Sequence, residues 1–152
     1  MISRQRELAA HSHVTYLLSQ AGYDVFQHAS SQPYDLVAVK GHRFLPISIK
    51  ASGDGGWTLT IRYKERATAY DQAVDRWLSE QEDDVLLALV QFVGTSVTAT
   101  PRVYIARPVE VATQLKTHGT QHEPLIRGHR HVHHLTTAPS DWLFSQTRID
   151  AI

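Results

Sequence analysis

The stretch "PYDLVAVKGHRFLPISIKAS", residues 33–52, decides how the chain is read. Two apolar-rich runs, Tyr34 to Lys40 and Arg43 to Lys50, flank Gly41 and His42, the pattern of two strands closed by a tight turn. Asp35 opens the first strand and Lys50 closes the second. Residues two apart in a strand point the same way, so Ser48 and Lys50 share a face. If the hairpin carries Asp35 towards them, a carboxylate and an ammonium meet at one sheet edge. Such a pair suits phosphodiester hydrolysis: the carboxylate holds a divalent cation, and the lysine orients or deprotonates the attacking water. Magnesium is the natural ion, because it accepts one or two carboxylates and takes water and phosphate oxygens for the rest. The alternative is an ordinary strand-edge ion pair, worth ~0–1 kcal/mol when exposed.

Upstream, Ala10, Val14, Leu17, Leu18 and Ala21 recur at helical spacing, which predicts a first helix from an N-cap at Ser3 to about Ala21, with Gly22 at its exit. Glu7 falls on the same stripe. Either it faces a polar partner, since an unpaired buried charge is expensive, or it lies in a fraying first turn where the helix dipole favours an acid. "YDVFQH" (23–28) predicts a strand before the hairpin, and "WTLTIRY" (57–63) alternates like a half-exposed one.

Downstream, Tyr70, Ala73, Val74, Trp77 and Leu78 mark the apolar face of a second helix over about 65–81. "VLLALVQFV" (85–93) is apolar almost throughout, as a strand covered on both faces must be. "RVYIA" (102–106) predicts another strand, and Pro108 the first position of a third helix. "SDWLFSQ" predicts a short helix capped by Ser140 or Asp141, with Trp142 and Phe144 packing the tail onto the core. The order helix, three strands, helix, strand, strand, helix describes an α/β sandwich, a mixed sheet covered on both faces.

At 152 residues the chain is long enough for one domain with a substantial core. No run approaches the length of a membrane helix, and "MISRQRELAAHSH" has no apolar segment of a secretory leader. The absence of cysteine excludes disulfides and thiolate metal sites and fits a cytoplasmic setting. The 15 basic residues balance the 15 acidic ones, so there is no global attraction to polyanions. Locally, six basic residues (Lys40, Arg43, Lys50, Arg62, Lys64, Arg66) stand against Asp54 and Glu65. Either this segment meets phosphate or it solvates strand ends and loops.

Residues 1–93, with "HASSQPYDLVAVKGHRFLPISIKAS" at their centre, resemble the core of the PD-(D/E)XK nuclease superfamily, and among its members are most similar to archaeal Holliday-junction resolvases. The resemblance implies a restriction-endonuclease-like three-layer sandwich over 1–93 with a C-terminal extension, 94–152. It implies Asp35 as the motif aspartate, Lys50 as the motif lysine, Glu7 as a first-helix acid and the Ile49 carbonyl as a further metal ligand. It also implies Mg2+ or Mn2+, double-stranded or branched DNA as substrate, and a homodimer. Ser48 stands where the motif has glutamate, and a hydroxyl is a poor magnesium ligand. Some restriction enzymes of similar arrangement supply that acid from the following helix. Glu65 is the candidate here, with Asp54 and Asp71 behind it; the alternative for Glu65 is a favourable charge at a helix N-terminus.

Six of the ten histidines lie between His118 and His134. If extended, His129, His131 and His133 face one way and a pair of them has chelating spacing, but a histidine-rich surface loop is the simpler expectation. The sequence thus predicts a magnesium- or manganese-dependent DNA endonuclease-like protein using Asp35, Lys50, Ser48 and either Glu65 or Glu7. The alternative is a catalytically silent DNA-binding or protein-interaction module on the same fold.

Overall fold

The computed structural model describes residues 1–27, 32–53, 56–60, 70–94, 99–118, 120–122, 132–135 and 138–152. Helix α1 spans Ser3–Gln20. Its N-cap is Ile2 rather than Ser3, and the Gln5 side chain accepts the Ile2 N–H at 3.1 Å, so a third-position amide closes the end that the hydroxyl was expected to close. Gly22, at φ 89°, turns the chain out of the helix into β1, Asp24–Gln27. Strands β2 (Leu36–Lys40) and β3 (Arg43–Ser52) form the expected hairpin, in register Leu36 to Ile47 and Lys40 to Arg43. Gly41, at φ 62°, supplies the left-handed turn residue.

Helix α2 is described over Tyr70–Ser79, and β4 over Leu86–Gln91. Strand β5 (Arg102–Ala106) leads to α3 (Pro108–His118), with Pro108 as its first residue. Short strands β6 (Thr120–His122) and β7 (Val132–His134) pair separately, and a 3-10 turn (Ser140–Trp142) precedes α4, Gln146–Ala151. The cap of α4 is Ser145, whose Oγ accepts the Arg148 N–H at 3.0 Å. The expected helix at Ser140 is only that turn. The strand expected at "WTLTIRY" is not part of the sheet in its described half: Trp57 makes a single bridge to Leu135 and a turn follows at Leu59–Thr60.

The five-stranded sheet runs β1-β2-β3-β4-β5, antiparallel except for the central β3–β4 pair. The parallel pair follows from the α2 crossover, since a tight turn joins only antiparallel neighbours. One face packs on α1 through Val14 and Leu18 against Leu36, Ile47 and Leu86, with Ile149 of α4 in the same cluster. The other packs α2 and α3 on β4 and β5, through Val74, Trp77, Val111 and Leu115 against Leu87 and Leu89. The protein is therefore an α/β sandwich: a mixed sheet with helices on both faces. The helix–three strands–helix–strand order is present, and residues 94–152 contribute to both layers. Trp142 is buried and Phe144 is partly buried against the core, as their size predicts.

Alternation along β3 sets up the site. Leu45, Ile47 and Ile49 face α1, so Ser48 and Lys50 face the opposite side.

Candidate active site

Asp35 sits one residue before β2, where the hairpin opens. Its backbone N–H donates to the Ile47 carbonyl at 2.8 Å, and its Oδ2 accepts the Ile49 N–H at 2.6 Å. The carboxylate thus stands in for the next backbone acceptor, continuing the β2–β3 ladder by one side chain. The other oxygen, Oδ1, faces His11 of α1, with Nε2 at 3.9 Å. About a third of each of these two side chains is exposed to solvent.

A cleft of 490 Å³ opens beside this point. Glu7 and His11 of α1 line one wall, and Asp35, Ile49 and Lys50 the other, with Trp57 and Thr58 beyond. Asp35, Lys50, Glu7 and Ile49 thus line one cleft. Glu7 is not buried and, among the described residues, pairs with no cation: it is exposed at the mouth of the cleft, where its Oε1 accepts from Ser3 Oγ at 3.5 Å. Lys50 is exposed, and its carbonyl accepts the Trp57 indole N–H at 3.0 Å. Arg6 reaches past Gly53, so closely that a Cβ there would stand 2.6 Å from the guanidinium carbon. The Arg6 Nε is buried with no hydrogen-bond partner among the described residues.

Ser48 lies elsewhere. It is 7% exposed and lines a second cavity of 360 Å³ with Lys50, Trp77, Glu80 and Gln81. Lys50 borders both spaces. Glu65 and Asp54, the expected replacement acids, fall outside the described residues. Asp71 is exposed in the first turn of α2 and lines neither space. Glu80, which does, was not singled out from the sequence, since it lies beyond the apolar repeat of α2.

Of the basic segment's described residues, Lys50 lines the cleft, whereas Lys40 and Arg43 are engaged at the far end of the hairpin. Lys40 donates to the Ala21 carbonyl at 3.1 Å and pairs with Asp150 at 3.7 Å. Arg43 donates to Tyr23 Oη at 2.7 Å and to the carbonyls of Ile149 and Ile152. Both serve to hold α4 at the turn end of the hairpin, about 23 Å along the strand from Lys50 at 3.3 Å per residue. Arg62, Lys64 and Arg66 lie outside the described residues.

His11 and Trp57 also escaped the sequence reading. His11 had a usable signal, standing four residues after Glu7 and so on the same helical face. Trp57 had none, because its bond to Lys50 depends on the loop between them. Of the histidine-rich segment, His129 and His131 lie outside the described residues, and His133 is in β7 opposite Gln121. Among the described residues no three His, Cys, Asp or Glu side chains stand close enough to hold a metal ion together, and no helix is long and apolar enough to cross a membrane.

A carboxylate, a lysine and a strand backbone at the open end of a hairpin, overlooked by a helix carrying acid and imidazole, define the arrangement. Neither the family models nor the curated proteins include a match. Among solved structures the chain is similar to Hjc of Archaeoglobus fulgidus, a Holliday junction resolvase from an archaeal hyperthermophile. The TM-score is 0.42 and the identity 16%, over 84% of this chain and 81% of that one.

Proposed function

We propose that the chain is a divalent-metal-dependent DNA endonuclease, with Asp35 and Lys50 at its centre. The observation that carries this reading is the convergence of Asp35, Lys50, Glu7 and the Ile49 backbone on one open cleft. The donors fit a magnesium- or manganese-like ion that keeps much of its water, for which one or two carboxylates suffice. Asp35 Oδ1 is the oxygen left by the Ile49 amide. The Ile49 carbonyl points to the same strand edge as its amide, as antiparallel geometry requires. Asp35 and that carbonyl would hold the ion, with Glu65 or Glu7 as the second acid. Such an ion supplies charge neutralisation at the phosphate.

The chain's own groups do the rest. The Lys50 side chain, exposed at the cleft, orients the attacking water as the ammonium and takes its proton only as the neutral amine. Ser48 lends Lys50 a polar neighbour from the adjoining cavity. Binding is to double-stranded or branched DNA, by a homodimer whose two clefts address two strands.

A second reading, a catalytically silent DNA-binding or interaction module, is favoured by one observation: no three-ligand cluster exists among the described residues. Incubation of the protein with linear and branched DNA in Mg2+ or Mn2+ separates the two. Cleavage abolished by Asp35→Ala supports the nuclease. Binding in gel shifts without cleavage supports the silent module, and absence of both rejects DNA as partner.

A further inference from the structure

We infer that His11 supplies an imidazole nitrogen to the cation held at Asp35, so that the cleft selects first-row transition ions over magnesium. The inference rests on the metal-dependent reading above and specifies which ion it takes. Two atoms carry it. His11 Nε2 lies 3.9 Å from Asp35 Oδ1, too far for a hydrogen bond. A nitrogen and an oxygen each about 2.1 Å from one ion stand about 3.0 Å apart when adjacent around it and about 4.2 Å when opposite. The observed 3.9 Å falls between the two and reaches the opposite arrangement with about 0.3 Å of side-chain movement.

The neighbouring contacts leave these two atoms for such a role. Asp35 is fixed through Oδ2 by the Ile49 N–H, which turns Oδ1 to the helix. Glu7 lies one turn before His11 on the same wall of the cleft, and side chains four apart on a helix reach a common ion. A rotamer change in exposed Glu7 brings a third donor to the pair. The Ser48 substitution removes a hard oxygen donor, and the nitrogen on the opposite wall changes the kind of donor set as well as its number. Imidazole suits iron, cobalt, nickel and zinc, whereas magnesium is held by carboxylate, carbonyl and water.

The test is titration calorimetry of the full chain with CoCl2 and with MgCl2, on the wild type, His11→Gln and Asp35→Ala. It is joined by proton NMR of the Co2+-loaded protein, in which a ligating imidazole gives a strongly shifted resonance. The inference expects Co2+ to bind more tightly than Mg2+. It expects His11→Gln to weaken Co2+ by about tenfold or more while changing Mg2+ less than threefold, with loss of the shifted resonance. Co2+ binding lost in Asp35→Ala but intact in His11→Gln overturns the inference and leaves the metal-dependent reading standing. Binding indifferent to both variants places the ion elsewhere, in the histidine-rich segment for instance, and overturns it. No binding of either ion to the wild type overturns the inference and the metal-dependent reading together. Thermal unfolding of His11→Gln checks that the variant is folded, as a partly exposed helix position allows.

Discussion

The Asp35 carboxylate accepts the Ile49 backbone N–H at 2.6 Å, so the group that opens the cleft also closes the hairpin. One oxygen is structural and the other faces the cleft. Asp35→Ala should therefore lose stability as well as cleavage. A hydrogen bond to a charged group is worth about 1.5–3 kcal/mol; a third of this side chain is exposed, so the expected loss is about 1–2 kcal/mol in urea denaturation. Asp35→Asn keeps an acceptor for the amide and should recover most of that stability without recovering cleavage. Full cleavage by Asp35→Asn would remove the carboxylate from the chemistry.

Lys50 and Ser48 point from the same face of β3, but only Lys50 also lines the Asp35 cleft, and their variants should differ. Lys50 is exposed and lines the Asp35 cleft. Lys50→Ala should leave the unfolding midpoint nearly unchanged and lower kcat by about 10²–10⁴-fold, the usual contribution of a positioned proton-transfer group. Ser48 lines the neighbouring cavity, and Ser48→Ala should lower kcat less than about threefold, since a neutral hydrogen bond at most polarises the lysine. Equal losses in the two variants would mean that Ser48 reaches the reacting atoms.

Trp57 ties the cleft to the core on the opposite side of the sheet. Its indole N–H donates to the Lys50 carbonyl at 3.0 Å, and its ring, 4% exposed, meets Tyr104 edge-on at 6.3 Å. Trp57→Phe keeps an aromatic ring and removes the donor. The expected cost is about 1–2 kcal/mol from the lost bond and the smaller ring. Because the bond fixes the backbone of Lys50, kcat should fall more than DNA affinity. A variant that loses stability but keeps kcat would show that Trp57 supports only the core.

Much of this arrangement was legible because it is local. The 3.6-residue repeat of Ala10, Val14 and Leu18 and the two-residue alternation across Gly41 report buried faces directly, and both fix where a motif residue can point. The turn at Gly41 then sets Asp35 and Lys50 at the same open end of the hairpin. What the sequence concealed depends on contacts between distant segments. Lys40 and Arg43 look like part of a basic patch in linear order, but Tyr23, Asp150 and the carbonyls of α4 claim them. His11 shares a helical face with Glu7, but its place beside Asp35 emerges only when α1 is laid across the hairpin and brings Nε2 to 3.9 Å from the carboxylate. The helix expected at Ser140 failed because Leu143 leaves the 3-10 turn to bridge Tyr104, and the chain restarts as a helix only at Ser145.

The hold of α4 on the hairpin should contribute to stability apart from the cleft. Ile149 is fully buried in the α1-side core, and its carbonyl accepts from Arg43 at 2.6 Å. Ile149→Ala should cost about 2–5 kcal/mol, the range for large-to-small core substitutions. Its metal affinity in the folded state should match the wild type, because α4 contributes nothing to the cleft lining. Denaturant unfolding and calorimetry below the transition check the two halves; a loss of metal binding in the folded variant would couple α4 to the site.

Histidine is the side chain whose unperturbed range falls between pH 7 and 5, so histidines bear on the pH dependence of stability there. His13 lies on α1, partly buried and stacked against Tyr16 at 6.4 Å between ring centres. Burial holds its pKa below the ordinary histidine value, because desolvation disfavours the charged imidazolium. The unfolded chain therefore takes up this proton first as the pH falls. The His13 contribution is fully present above about 6.5 and is lost progressively as the pH drops through the depressed folded value. His13→Gln, which cannot protonate, should flatten the decline in urea stability between pH 7 and 5. A proton titration of His13 followed by NMR should give a midpoint below that of a histidine in the unfolded chain. An unshifted midpoint, or an unchanged slope in the variant, would assign the decline to other histidines.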